Sequence, residues 1–357
     1  MANKSQFAPE WVFKMGADTQ VFENSEPNEL VSREFRDVCE QSLQVFILFI
    51  NVFGVFTNGI NIRVFIRQGI ASDTTTIGLS ALALSDLLGC FFMIPASLCY
   101  VIKFLDYTDY RNCVALTSMP CHYPHVMFSR ITCWLTVYIS VERTLCVMMP
   151  LKVRFLLRPK VARNVVSFVF FFFVVFHIPF AANTRIVLEF DPAFNQSMAV
   201  NRETKSGQLF FYINSLLGTT ILSTVAMLIV AVTTSVMLYK LKTTQKWRKS
   251  VSSVSTKSAS SSSKEHEVFQ TVTMVTAIYL VCLVGGHTPG FATLFFPGVS
   301  LSGLNKNLFL VMYTFKFFFD AVNSSVNFIF YIRISSRFKA AFNSIYNHNP
   351  RDMGTAP

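Results

Sequence analysis

The chain has 357 residues, 52% of them hydrophobic, with 38 Phe, a mean hydropathy of +0.44 and a formal net charge of +11. That balance is too apolar for a soluble α/β enzyme of this length. The basic residues sit in short segments between apolar stretches, which argues against a nucleic-acid binder and makes a bilayer the solvent for most of the chain.

Residues 1–41 come first, polar and without apolar periodicity, and hold eight acids, among them Glu23, Glu26, Glu29, Asp37 and Glu40. They are expected to form an extracellular tail. Met1 to Met15 lacks a continuous apolar core, so no secretory signal is visible and the first apolar stretch is expected to direct insertion. A spanning helix needs about 20 mostly apolar residues. Seven stretches qualify, at roughly 42–67, 77–102, 117–147, 161–182, 208–241, 267–297 and 307–333. Runs such as Phe168 to Phe176 are apolar at every position, unlike the alternating strands of a membrane barrel. The expected fold is an all-α membrane protein, a seven-transmembrane helix bundle over 42–334.

Three connecting segments carry information of their own. The outer connection at 183–207 is the longest on that side, either a cover for a pocket or simple solvated chain. Residues 242–266 are basic and Ser-rich with little to bury, which predicts a disordered cytoplasmic loop open to kinases. After Tyr331, the four-residue spacing of Ile334, Phe338 and Phe342 among Arg333, Arg337 and Lys339 predicts a short amphipathic helix on the inner lipid surface. That helix and a short cytoplasmic tail account for 335–357.

Charge fixes the orientation. With residues 1–41 outside, the cytoplasmic pieces hold 19 Lys and Arg and the outer pieces 10, which places the N-terminus outside. The sequons at Asn3 and Asn195 fall on the outer side, where glycosylation is possible. Of the eight cysteines, Cys90, Cys133, Cys146 and Cys282 lie at membrane or cytoplasmic depth, while Cys39, Cys99, Cys113 and Cys121 lie near the outer face. A bridge is possible among the outer four, and spacing does not choose the pair.

Polar residues inside the apolar stretches are costly, and so are functional candidates. Asn58, Asp86, Thr132, Asn323, Ser324 and Asn327 all sit well inside such stretches. A carboxylate at mid-membrane costs about 2.5–3.5 kcal/mol on insertion scales, so Asp86 requires partners. The amides and hydroxyls of helices 1, 3 and 7 are available, with room for a water or a small cation; simple helix-to-helix adhesion is the alternative. At the inner end of helix 3, Glu142 adjoins Arg143, an arrangement that suits either a releasable switch or an ordinary helix-end pair. In the outer half stand Arg130, Lys316, Asp320, His177 and His287. Two readings compete there: Arg130 pairs with Asp320 while Lys316 snorkels outward, or Arg130 and Lys316 offer positive charge to an anionic ligand group.

Taken together, Gly54 to Asn58, Leu82 to Asp86, Glu142-Arg143-Thr144 with Pro150, Pro289, and Asn323 to Tyr331 ahead of Phe338 resemble a rhodopsin-like G-protein-coupled receptor, most similar to invertebrate peptide and chemosensory members. The resemblance covers about 43–346 and brings motifs on six helices in family order. It implies a receptor for an extracellular neuropeptide or small chemosensory molecule that catalyses nothing and activates a heterotrimeric G protein. It further implies a sodium and water pocket at Asp86, Asn58, Thr132, Asn323, Ser324 and Asn327, the Na⁺ being the one expected bound ion. Arg143, released from Glu142, would meet the G protein, Tyr331 would support it, and Pro150 and Leu151 would lie at the contact. Receptor kinases and arrestin would act at the Ser-rich loop. The ligand candidates are His125, Arg130, His287, Lys316 and Asp320.

Departures from the family pattern are specific. Phe328 stands where Pro is usual in helix 7, and His287 stands for the usual Trp in helix 6. Helix 5 lacks its Pro near Ser223. No Cys lies between 147 and 281, so the family bridge to the second outer loop is impossible and Cys39, Cys113 or Cys121 are its expected substitutes. His125 occupies the place of the amine-binding Asp and Ala321 that of the retinal Lys, which argues against monoamine and light sensing. The alternative class is an ion-conducting channel or transporter, since buried charges also mark ion paths, although no inverted repeat is apparent. An enzyme is disfavoured: Gly-x-Ser-x-Gly, His-Glu-x-x-His and metal-ligand spacings are missing from the sequence.

Overall fold

The computed structural model describes residues 29–70, 73–103, 106–149, 158–192, 194–251, 259–296, 298–300 and 303–346. Asn3, Pro150 and Leu151 lie outside them.

Helix α1 (Arg33–Gln68) is capped by Ser32, whose hydroxyl accepts the Phe35 N–H at 3.2 Å, and ends at Gly69 with φ 86°. It therefore starts well before residue 42, because a good N-cap lets two polar turns precede the apolar stretch. Only part of 1–41 is tail. The strap before α1 and the first turn of α1 are fastened to the start of the last spanning helix: Leu30 N–H donates to Asn305 at 3.1 Å and Arg36 to Asn307 at 2.7 Å.

Helix α2 (Thr74–Ile102) is capped by Asp73, which accepts the Thr76 N–H at 2.7 Å. Helix α3 is built from Tyr107–Thr117, a π-helical turn Ser118–His122, and Tyr123–Met148. Helix α4 (Pro159–Ala182) opens on a proline at its first turn, where the missing N–H costs nothing. Val169, Phe173, His177 and Phe180 face inward, while Phe168, Phe171, Val175 and Ile178 are exposed to the lipid side. Helix α5 joins Lys205–Ile213, a second π-helical stretch Asn214–Ile221, and Leu222–Val251. Helices α6 (Ala259–Phe295), α7 (Lys306–Ile334) and α8 (Ser336–Tyr346) complete the described residues.

The expectation of disorder across 242–266 is corrected at both ends. The backbone stays helical to Val251 and is helical again from Ala259. Ser and Lys are adequate helix formers, and the spanning segments on both sides supply the nucleus that a short isolated helix lacks.

Among the described residues, six helices are long and apolar enough to cross a membrane; α7 has the length but carries the polar cluster. Neighbours pack in bundle order: α1 against α2 and α7, α2 against α3, α3 against α4 and α5, and α6 against α7. Gly54 allows a close approach of α1 to α2 and α7, since a Cβ there would lie 2.5 Å from Ser325 Oγ and 2.6 Å from Cys90 Sγ. Tyr331 and Phe338 sit with Val64, Phe65 and Ala83 in a core that seats α8, and Arg337 donates to Asp73 at 2.9 Å. The amphipathic helix expected after Tyr331 is thus docked through Phe338. Phe328, in the usual proline position, leaves α7 one continuous helix, and its ring packs on Phe338 and Phe342.

The outer cover is an antiparallel hairpin, β1 (Thr184–Asp191) and β2 (Gln196–Glu203), in register from Thr184↔Glu203 to Asp191↔Gln196. Asn195 takes the left-handed turn position at φ 53° and is exposed, so the second sequon is sterically open. The hairpin is tied to the outer turns of α3 without a covalent bond. Arg111 pairs with Asp191 at 3.0 Å, Asn112 accepts the Ala199 N–H at 2.8 Å, and Asn201 donates to Ser118 at 2.6 Å. The disulfide joins Cys99 to Cys113, stapling the end of α2 to α3. Cys39 and Cys121 are free thiols, which corrects their candidacy. Helix α3 starts at Tyr107, ahead of the expected 117, and this added N-terminal helix carries Cys113 to Cys99, a consequence of helix length rather than spacing in the sequence.

Candidate ligand site and switch

A cavity of about 40 Å³ lies in the outer half between α3, α5, α6 and α7. Its charged wall is Arg130 from α3 with Lys316 and Asp320 from α7, and His287 closes it from α6.

Lys316 and Asp320 are one helical turn apart and form an ion pair at 2.6 Å, which Ser129 supports by donating to Asp320 Oδ2 at 3.1 Å. The reading that paired Arg130 with Asp320 and sent Lys316 outward is therefore wrong. Lys316 is 7% exposed, held inward because its carboxylate partner lies on its own helix at the favourable i,i+4 spacing.

Arg130 is instead gripped by neutral acceptors. Its guanidinium donates to the Asn214 side chain, to the Asn214 carbonyl at 3.2 Å, to Thr219 at 2.5 Å and to His177 Nε2 at 2.9 Å. His177 Nδ1 faces the Phe173 carbonyl at 2.7 Å and so carries the proton, which leaves Nε2 as an acceptor. Asn214 and Thr219 belong to the π-helical stretch of α5, whose widened turn presents them to α3. Gly218 in the same stretch makes room, since a Cβ there would meet Arg130 Nη1 at 2.5 Å. Arg130 is 6% exposed, and no carboxylate pairs with it among the described residues.

His287 uses Nδ1 to donate to the Leu283 carbonyl at 2.7 Å, and its buried Nε2 has no partner among the described residues. His125 does not reach the cavity wall; Nδ1 faces the Gly89 carbonyl at 2.9 Å and Nε2 lies 3.9 Å from Asp320. Asn214, Gly218, Thr219 and His177 belong to no motif. The signal for the first two in the sequence is a polar and a small residue four apart within an apolar stretch.

Deeper in the bundle, Asp86 accepts from Thr132 at 2.7 Å, from Ser324 at 3.1 Å and from Asn327 at 2.9 Å. Two of the six residues named for this pocket act elsewhere. Asn58 donates to the Ser324 carbonyl at 2.7 Å, which holds α1 to α7, and Asn323 lines the outer cavity. Asn323 and Asn327 are a turn apart, so α7 connects the cavity to the Asp86 cluster.

At the inner end, Arg143 donates to Glu142 at 3.0 Å. Glu142 is 1% exposed and also accepts from Thr74 at the start of α2. Tyr331 packs between Phe65 and Phe338, with ring centroids 5.6 and 5.5 Å away. It belongs to the α8 seat in this conformation.

Among the described residues, seven long helices packed as a bundle, with a cavity toward one end and an acid-paired Arg toward the other, fit a multi-pass membrane receptor. The description "Serpentine type 7TM GPCR chemoreceptor Srw" matches residues 45–349, and the chain belongs to that family of chemoreceptors. No curated protein matches it.

Proposed function

We propose that the chain is a chemosensory receptor that binds an extracellular ligand in the outer cavity, activates a heterotrimeric G protein through Arg143 and catalyses no reaction. The observation that carries the reading is the Glu142–Arg143 pair of 3.0 Å, anchored by Thr74 and set at the cytoplasmic end of α3. A buried acid holding a less buried Arg is a contact that a competing partner can exchange. The continuity of polar groups from the cavity through Asn323 and Asn327 to Asp86 supports coupling between the two ends. A ligand shifts such an equilibrium only by its differential affinity for the two states.

Asp86, Thr132 and Ser324 supply hard oxygen atoms of the kind that suits Na⁺, and on this reading they would hold that ion in the inactive state. It would balance the buried carboxylate charge. The Ser-rich segment between α5 and α6 is the proposed target of receptor kinases and arrestin; its side chains lie outside the described residues.

The test is nucleotide exchange by a panel of G proteins on the reconstituted chain, screened with peptides and with acidic and neutral small molecules. A response lost in Arg143→Ala, with surface expression intact, is the expected result. An Arg143→Ala variant that signals as well as wild type overturns the switch.

A further inference from the structure

We infer that the outer cavity recognises a small hydroxycarboxylate, its carboxylate on Arg130 and its hydroxyl on His287 Nε2. The inference rests on the receptor reading and names the ligand class of that same cavity.

Charge comes first. The charged side chains at the cavity are Arg130, Lys316 and Asp320. Lys316 and Asp320 neutralise each other at 2.6 Å, which leaves one positive charge, that of Arg130. A buried charge is stable only when paired or fully hydrogen-bonded. Among the described residues, Arg130 has neutral acceptors alone on its terminal nitrogens, and its buried Nε has no partner. The missing component is a single negative charge. A zwitterion brings no net charge and a dianion overshoots, so a monoanion fits the balance.

Hydrogen bonding comes next. His287 lines the same cavity, and with its Nδ1 spent on the Leu283 carbonyl, its buried Nε2 is left an acceptor with no donor among the described residues. A carboxylate cannot satisfy it, since it only accepts, whereas a hydroxyl on the ligand donates. Size sets the third limit. The cavity of about 40 Å³ takes roughly three water-sized groups, which matches a short acid and not a peptide or a fatty chain.

The experiment measures thermal unfolding of the purified full-length chain in lipid nanodiscs, with glycolate, lactate and 3-hydroxybutyrate as probes. Propionate, butyrate, serine and methyl lactate serve as comparisons at matched pH and ionic strength. Binding to the native state raises the unfolding temperature by mass action. Hydroxy acids are expected to stabilise, plain acids to bind about tenfold more weakly for the lost hydrogen bond, and the ester to have no effect. Arg130→Gln is expected to weaken binding by about a hundredfold or more. His287→Phe is expected to bring lactate and propionate to the same affinity.

An ester as effective as its acid, no advantage from the hydroxyl, serine binding as tightly as lactate, or no stabilisation by any probe overturns the inference. The comparison of acid with ester uses the wild-type chain, so it decides the matter even where Arg130→Gln does not fold. Because unfolding needs no G protein, hydroxy acids that bind without eliciting exchange would count against the signalling reading alone. Exchange driven only by neutral ligands would count against the hydroxycarboxylate alone.

Discussion

Lys316 Nζ lies 2.6 Å from Asp320 Oδ2 on the same face of α7, and this pair settles the electrostatics of the outer cavity by removing Asp320 from the reach of Arg130. Removing one partner leaves the other buried without compensation. Asp320→Ala is expected to destabilise the chain by about 3 kcal/mol, while Lys316→Met combined with Asp320→Leu recovers most of that loss. Unfolding temperatures of the single and double variants check it. Additive losses would show that the pair is not coupled.

Gly218 is expected to tolerate no side chain. Its Cβ would lie 2.5 Å from Arg130 Nη1 and 3.0 Å from Phe176, so Gly218→Ala displaces the guanidinium from Asn214 and costs about 1–3 kcal/mol. Gly59→Ala is the control, since its nearest neighbour would be Leu87 at 4.0 Å and a helical Gly-to-Ala change is favourable by about 1 kcal/mol. Equal unfolding temperatures for the two variants would refute the close approach.

Docking of α8 is expected to weaken in acid. Partial burial pushes the Asp73 carboxyl up, but the Thr76 N–H, the Thr76 hydroxyl and Arg337 together hold it below its ordinary value. A lowered folded value means that the stabilisation is complete above the ordinary aspartate range of about 4 and fades as pH falls through the folded value. The pair is half exposed, so its ionic part is worth at most about 1 kcal/mol, with about 1 more from the helix cap. A fluorophore on α8, read during acid titration of wild type and Asp73→Asn, checks this: the variant loses the acid step.

The outer staple gives a chemical prediction. In the unreduced protein at the cell surface, maleimide is expected to modify Cys39 and Cys121 and to spare Cys99 and Cys113. Cys99→Ser is expected to cost about 2–4 kcal/mol and to loosen the hairpin that rests on Asn112 and Arg111. Peptide mapping of the labelled protein and a melting curve provide the two readings; labelled Cys113 in wild type would disprove the bridge.

Sodium dependence follows from the proposed ion at Asp86. Raising Na⁺ against choline at constant ionic strength is expected to stabilise the wild type and to leave Asp86→Asn unchanged. A variant that keeps the sodium effect would place the ion elsewhere.

The sequence by itself determined the membrane class, the number and order of the spanning helices and three of the residues that meet Asp86, whereas Asn58 and Asn323, named beside them, act elsewhere. Apolar length, loop charge and the cost of burying a carboxylate are local or compositional, and each is legible along a single stretch of chain. Thr132, Ser324 and Asn327 were readable for that reason: an acid at mid-membrane must be met by the few polar groups at its depth. Only the tertiary structure decided between Asp320 partners, chose Cys99 for Cys113 and brought Asn214, Thr219 and His177 to Arg130. Those outcomes depend on the rotation of one helix against another and on the widened turns of α3 and α5, where a shift of one residue changes which side chain faces the cavity. No periodicity in the chain encodes that rotation, because it is fixed by the packing of all the helices at once.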